Sequence, residues 1–226
     1  MQIYYKLVKN YETIKKLLSF ATAAALSAVA LSGSLAASAA STSYNTYRVY
    51  YDVASGSGVQ NYQSVVSFSK SSLNHIGYHI GNRGGTLSTF GSGGSTHIST
   101  VGTINFPSNI TGAGTLFTLS FYGSKAAPIL NGTDASLSTS IAKNSSGATI
   151  TPNPVTVSEV LVGDINQDGI VDTIDGLTLS RFLNGKEIVS GQALRAADTN
   201  GDFMVNEDDL DLMLEYFIGS ISHFPK

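Results

Sequence analysis

The sequence predicts a mainly β sandwich followed by a small α-helical module with two acidic loops, and three observations lead there. Short runs alternating apolar and polar residues recur from Tyr47 to Val162, separated by Gly, Ser and Asn clusters, which is the pattern of an antiparallel sandwich. Two twelve-residue stretches, Asp164–Asp175 (DINQDGIVDTID) and Asp198–Asp209 (DTNGDFMVNEDD), place acidic or amide side chains at loop positions 1, 3, 5, 9 and 12. Charge divides the chain between them: Ser41 to Thr156 holds five basic and two acidic residues, net +3, whereas Val157 onward holds four basic and thirteen acidic, net −9. Such asymmetry marks two modules with different roles. Nothing is basic enough to imply nucleic acid as a partner.

Residues 1–40 read as a secretory signal peptide. Lys6, Lys9, Lys15 and Lys16 precede an apolar run from Leu17 to Leu31, and Ala37-Ser38-Ala39-Ala40 offers small-residue cleavage sites. The expectation is a secreted, extracellular protein with no membrane segment after cleavage. Cysteine is absent, so a secreted fold here rests on a packed core and on metal rather than on disulfides.

The first module, 41–157, carries candidate strands at Tyr47–Val53, Gln60–Phe68, Leu73–Ile80, Thr96–Phe106, Leu116–Tyr122, Ala135–Ile141 and Val155–Val162. In Leu116–Tyr122, Phe117, Leu119 and Phe121 point one way, and Thr118, Ser120 and Tyr122 the other, which predicts one core face and one wet face. The segment Gly81–Ser95, with six glycines, reads as a flexible loop.

No catalytic constellation stands out in this module. Glycoside hydrolysis needs a carboxylate pair; the acids are Asp52, on a predicted strand, and Asp134, in a turn, and each is read as structural. There is no Gly-x-Ser-x-Gly elbow. His75 and His79 stand roughly 13 Å apart on a strand and cannot share an ion; with His97 they read as surface or hydrogen-bonded histidines. Tryptophan is absent, so sugar binding would rest on a platform of tyrosines. Alternating-strand tyrosines are more often half-buried packing residues.

The second module, 158–226, carries the loops. Ca²⁺ takes about six to eight oxygens at roughly 2.3 to 2.6 Å, contributed by every second residue of a wrapped chain. Asp164, Asn166, Asp168, Asp172 and Asp175 fill the side-chain positions of the first loop, the Ile170 carbonyl fills position 7, and Gly169 permits the sharp turn. Asp198, Asn200, Asp202, Asn206 and Asp209, with the Met204 carbonyl, repeat the set. Phe203 stands where glycine is expected, which predicts a weaker or distorted second site. Carboxylates about 4 Å apart repel by roughly 4 kcal/mol per pair at an effective dielectric near 20, so without two Ca²⁺ the loops are expected to open.

Each loop runs into an amphipathic helix, Thr173–Leu183 and Glu207–Phe217, with a short helix around Gly191–Ala197 between. Thr151-Pro152-Asn153-Pro154 and a strand-like run precede the first loop, so the entering helix of an ordinary EF-hand is missing. This loop-plus-exit-helix unit, an F-hand repeated at a separation of 34 residues (GDINQDGIVDTIDGLTLSRFLNG, then ALRAADTNGDFMVNEDDLDLMLEYF), resembles a type I dockerin. The resemblance implies Ca²⁺-dependent binding to a cohesin domain of a scaffoldin, attaching the chain to a cellulosome or cell surface. It further implies recognition residues on the exit helices: Thr173, Ile174, Ser180 and Arg181 in the first repeat, and Glu207, Asp208, Leu214 and Glu215 in the second. The sets differ in charge and shape, so one preferred docking orientation is expected.

The runs Gly58–Phe68 with Ser72-Leu73, and Ile110–Phe121, resemble the strand pattern of a cohesin-like, jelly-roll-like sandwich. That resemblance implies an adaptor whose tail plugs into a scaffoldin while its sandwich receives a dockerin-bearing protein. The alternative is a carbohydrate-binding module for a plant polysaccharide such as cellulose or xylan, carried in by the tail. A glycoside hydrolase has the least support.

Overall fold

The computed structural model describes residues 43–69, 73–81, 85–93, 97–124, 129–130 and 135–225. The segment 1–40 expected to be a signal peptide, and Asp134, lie outside them. Eight strands come first: β1 (Asn45–Val53), β2 (Asn61–Ser69), β3 (Leu73–Ile80), β4 (Thr86–Gly93), β5 (His97–Asn105), β6 (Gly114–Gly123), β7 (Ala135–Lys143) and β8 (Val155–Leu161). They form two four-stranded sheets, ordered β3-β6-β1-β8 and β4-β5-β2-β7, with every described pairing antiparallel. Successive strands β1 and β2 lie in different sheets, so the chain closes a sandwich rather than a meander. Three helices follow, α1 (Thr173–Leu183), α2 (Gln192–Ala197) and α3 (Glu207–Phe217).

Alternation builds the core between the sheets. Along β2, Tyr62, Ser64, Val66 and Phe68 are buried while their neighbours are half-buried. Tyr47, Val49, Tyr51 and Val53 of β1 meet Phe117, Leu119 and Phe121 of β6 in the same cluster. Tyr51 stacks on Phe117 at 4.2 Å with 12° between the rings, and its hydroxyl accepts from Ser64 Oγ at 3.1 Å. Burial pushes the Tyr51 phenol far above its ordinary range. Tyr62 shares a 2.5 Å hydrogen bond with Ser140.

The tyrosines therefore are packing residues. Tyr47, Tyr50, Tyr51, Tyr62 and Tyr216 are buried, Tyr44, Tyr78 and Tyr122 are half-buried, and no exposed tyrosine platform exists among the described residues.

Two strand-level expectations are corrected. The glycine-rich segment read as a loop contains β4, paired with β5 from Thr86↔Asn105 to Gly93↔Ile98. An edge strand needs only backbone N–H and C=O groups from its residues, and glycine keeps both. The face of β6 expected to be wet is dry over Thr118 and Ser120, which are 1% and 0% exposed; β1 is likewise buried on both faces.

The C-terminal module is what covers that face. Val162, Ile165, Leu179, Ala196, Ala197, Met213, Tyr216 and Phe224 form a second cluster that includes Tyr50 of β1 and Val160 of β8. β8 runs through residue 158, where the sequence reading divides the modules, and ends at Leu161, three residues before Asp164. The two modules are thus joined without a linker and share apolar contacts.

Candidate functional site

The loops are held by near-identical hydrogen-bond frames. In the first, Asp164 accepts from the Asp168 and Gly169 N–H groups at 3.0 Å each, and Asp175 accepts from Ile165, Asn166 and Asp172 at 2.8, 3.0 and 3.0 Å. In the second, Asp198 accepts from Asp202 and Phe203 at 3.1 Å each, and Asp209 from Thr199, Asn200 and Asn206 at 2.8, 3.1 and 2.9 Å. Asp168 and Asp202 likewise accept from Ile170 and Met204 at 2.9 and 2.8 Å. Position 1 and position 12 thereby curl the chain around one centre in each repeat.

Positions 9 and 12 also start the helices. Asp172 caps α1 with Asp175 closing a capping box, and Asn206 with Asp209 does the same for α3. Side chains read as ligands from spacing thus double as helix start signals, and this ties loop shape to helix position.

Burial concentrates charge at the loop ends. Asp175 and Asp209 are fully buried, and Asp164 and Asp198 nearly so. Burial pushes all four carboxyls above their usual range, opposed by the N–H groups they accept from; for Asp198, Arg48 is the largest opposing influence. Asp168 and Asp202 are exposed, Asp172 and Asn206 half-buried, and the Ile170 and Met204 side chains point to solvent. Among the described residues no three His, Cys, Asp or Glu side chains are gathered so as to hold a metal by themselves. The first candidate set is completed by one asparagine and a backbone carbonyl, the second by two asparagines and a backbone carbonyl.

Strain is not confined to the second loop. Phe203 does adopt a left-handed φ of 68°, as Gly169 does at 88°, but the first loop carries Gln167 at 62° where the second has Gly201 at 78°. Each loop holds one glycine and one strained residue, with about 1 kcal/mol or more of cost for the latter. Gln167→Gly is accordingly expected to stabilise the protein by up to about 1 kcal/mol, read as a higher melting temperature. The Phe203 ring has a compensating contact, meeting His79 of β3 edge-on at 6.3 Å.

The candidate docking residues lie along α1 and α3. Thr173, Ile174, Arg181, Glu207, Asp208 and Glu215 are exposed, and Ser180 and Leu214 half-buried. Opposite faces of these helices bury Leu179 and Met213 in the tail's core. Gly176 permits the close approach of the helices, since a Cβ there would sit 2.9 Å from Phe217.

Sequence reasoning missed the joint between sandwich and tail. Every second residue of β1 engages the tail: Thr46 Oγ1 accepts from Phe224 N at 2.9 Å, Arg48 donates to the Asp198 carbonyl at 2.5 Å, Tyr50 lies under the Arg195 guanidinium at 4.4 Å, and Asp52 pairs with Arg195 at 2.8 Å. Tyr122 adds a 4.0 Å stack on His223. The signal was present as Thr46, Arg48, Tyr50 and Asp52 on one strand face, but that pattern also describes a face in water.

The fold and loops define a β-sandwich joined to a paired loop-and-helix module. Residues 162–218 match the model of the Dockerin type I domain. No curated protein matches the chain. Solved structures with similarity include a non-cellulosomal cohesin from the hyperthermophilic archaeon Archaeoglobus fulgidus, 12% identical over 48% of this chain and 74% of that one, TM-score 0.33. Another comes from the Coh-OlpC–Doc435 complex, a type I cohesin–dockerin complex of Clostridium thermocellum, 9% identical over 53% of this chain and 86% of that one, TM-score 0.38.

Proposed function

We propose that this chain is a secreted, calcium-dependent docking component of a polysaccharide-degrading assembly, its tail binding a cohesin domain of a scaffoldin. The observation that carries the reading is the type I dockerin match over residues 162–218, coinciding with two loops of matching hydrogen-bond frame. The donor set fits a hard cation. Buried carboxylates raised in pKa gain most from a divalent charge beside them, and each loop offers carboxylate, amide and carbonyl oxygens only. Asp164, Asn166, Asp168, Asp172 and Asp175 with the Ile170 carbonyl would hold one ion; Asp198, Asn200, Asp202, Asn206 and Asp209 with the Met204 carbonyl would hold the other. Bound there, calcium supplies charge neutralisation that fixes where α1 and α3 start.

Docking then falls to Thr173, Ile174, Ser180 and Arg181, and to Glu207, Asp208, Leu214 and Glu215. For the sandwich, a protein-binding role as an adaptor is favoured over sugar binding, because its tyrosines are committed to packing. Asp52 is committed too, accepting from Thr115 Oγ1 at 2.8 Å while pairing with Arg195.

The test is capture of the mature chain by a panel of immobilised cohesins, in calcium and in EGTA, with cellulose and xylan as parallel supports. At least one cohesin is expected to retain the chain in calcium and release it in EGTA. Retention by no cohesin, or retention indifferent to EGTA, contradicts the proposal; retention on polysaccharide alone moves the sandwich to sugar binding.

A further inference from the structure

The two loops differ in what faces them from the sandwich, and the difference centres on Arg48. This side chain is 1% exposed, among the largest fully buried side chains of the described residues. Its guanidinium donates to the carbonyls of Asp198 and Thr199 at 2.5 and 3.4 Å and stands 3.8 Å from Asp198 Oδ2. It also donates to the Tyr50 hydroxyl at 3.5 Å, which itself donates to the Arg195 carbonyl at 3.5 Å. A guanidinium does not lose its proton in proteins, and a buried charge is stable only where it is paired and hydrogen-bonded. Here the pairing partner is the position-1 carboxylate of the second loop.

A second latch is specific to the same loop. Thr199 Oγ1 donates to the Asp209 carbonyl at 3.0 Å and lies 3.2 Å from Asp209 Oδ1, tying the loop's second residue to its last. The first loop has Ile165 at that place and has no such bond to make. Its Asp164 instead lines a cleft of about 410 Å³ with Glu159, Gln167 and Asp168. The second loop therefore faces a buried base, whereas the cleft beside the first is lined by Asp164, Asp168 and a Glu159 whose carboxylate accepts from the Ile129 and Leu130 N–H groups at 2.6 and 2.7 Å.

We propose that Arg48 is a built-in counter-ion of the second loop, so that 198–209 keeps its shape and its grip on the sandwich when its cation leaves, whereas 164–175 depends on its cation. This rests on the calcium reading above. It divides the two sites by function: the first is the calcium-sensitive element that shapes α1, and the second is part of the permanent joint between modules. On this proposal only the first loop opens when calcium is removed. Because guanidinium and metal share the Asp198 carboxylate, like charges also oppose each other there, and the second loop is the weaker calcium site.

Hydrogen exchange on the whole mature chain, resolved by peptide, tests this. In EGTA the amides of Thr199, Asn200, Asp202 and Phe203 are expected to exchange at least tenfold more slowly than those of Ile165, Asn166, Asp168 and Gly169; calcium brings both sets to high protection. Arg48→Met is expected to erase the difference in EGTA while calcium restores protection of both loops, which shows the variant folded. Arg48→Lys, which keeps the charge and loses the fork onto two carbonyls, is expected to give intermediate protection and carries the test if the methionine variant fails to fold. Equal exchange of the two loops in wild-type EGTA samples, or second-loop protection unchanged in the variants, overturns the counter-ion role. Calcium that leaves both loops' exchange unaltered overturns the calcium reading itself, and this inference with it.

Discussion

Asp175→Ala is expected to remove one of the two calcium ions proposed above and to lower stability by about 2–4 kcal/mol. The side chain is fully buried and accepts three backbone N–H groups at 2.8 to 3.0 Å. Alanine orphans all three and deletes the capping box that starts α1, and each unsatisfied buried donor costs about 1–3 kcal/mol, less where water reaches it, as at the exposed Asn166. For a chain of this size that corresponds to a melting temperature lower by roughly 5–15 °C. Asp175→Asn keeps the shape while removing the charge, so it is expected to lose the same ion with a smaller stability cost. Calorimetric titration of each variant reads the stoichiometry; two ions retained in both would exclude Asp175 as a ligand.

Gly163→Val is expected to destabilise sandwich and tail together by roughly 3–5 kcal/mol. Gly163 follows β8 with a left-handed φ of 92°, a conformation that costs an L-residue about 1–2 kcal/mol and a β-branched one more. Any Cβ there meets Phe224 and Val171 at 2.8 Å each, atoms inside the cluster that joins the modules, and overpacking adds about 1–3 kcal/mol. The Gly163 N–H also bonds the Ala196 carbonyl at 2.8 Å, so a backbone shift to relieve the clash loses that bond. Gly56→Ala is the matched control: φ is 73° but nothing lies within 4 Å, so only the conformational cost of about 1 kcal/mol remains. Differential scanning calorimetry is expected to show one transition moving to lower temperature in Gly163→Val. A sandwich transition left in place beside a separate tail transition would contradict a shared fold.

What the sequence made legible is what local chemistry dictates. Oxygen ligation fixes residue type at fixed loop offsets, and the same residues cap helices, so the bounds Thr173–Leu183 and Glu207–Phe217 were readable to the residue. Strand β2 was readable because its alternation is intact, and β3 because its apolar residues survive a register shift between His75 and Gly77. The strand β4 was hidden because its glycines carry no side-chain pattern, and pairing there is a property of the backbone. The joint was hidden for a different reason: Arg48 and Asp198 lie 150 residues apart, and no local periodicity distinguishes a polar face in water from a polar face against another module. Gln167 escaped notice because left-handed backbone at loop position 4 is a demand of loop geometry, not of its own side chain. The charge split did foreshadow the joint, since a basic sandwich against an acidic tail is the arrangement that Arg48–Asp198 realises, with Asp52–Arg195 as its converse.

Titration of the whole mature chain with CaCl₂, rather than of an excised tail that would lose the sheet it packs on, tests the account most directly. Two ions are expected to bind, with cohesin capture appearing only as they do. A flat calorimetric trace, with cohesin capture or its absence unaffected by calcium, would contradict the reading of both loops.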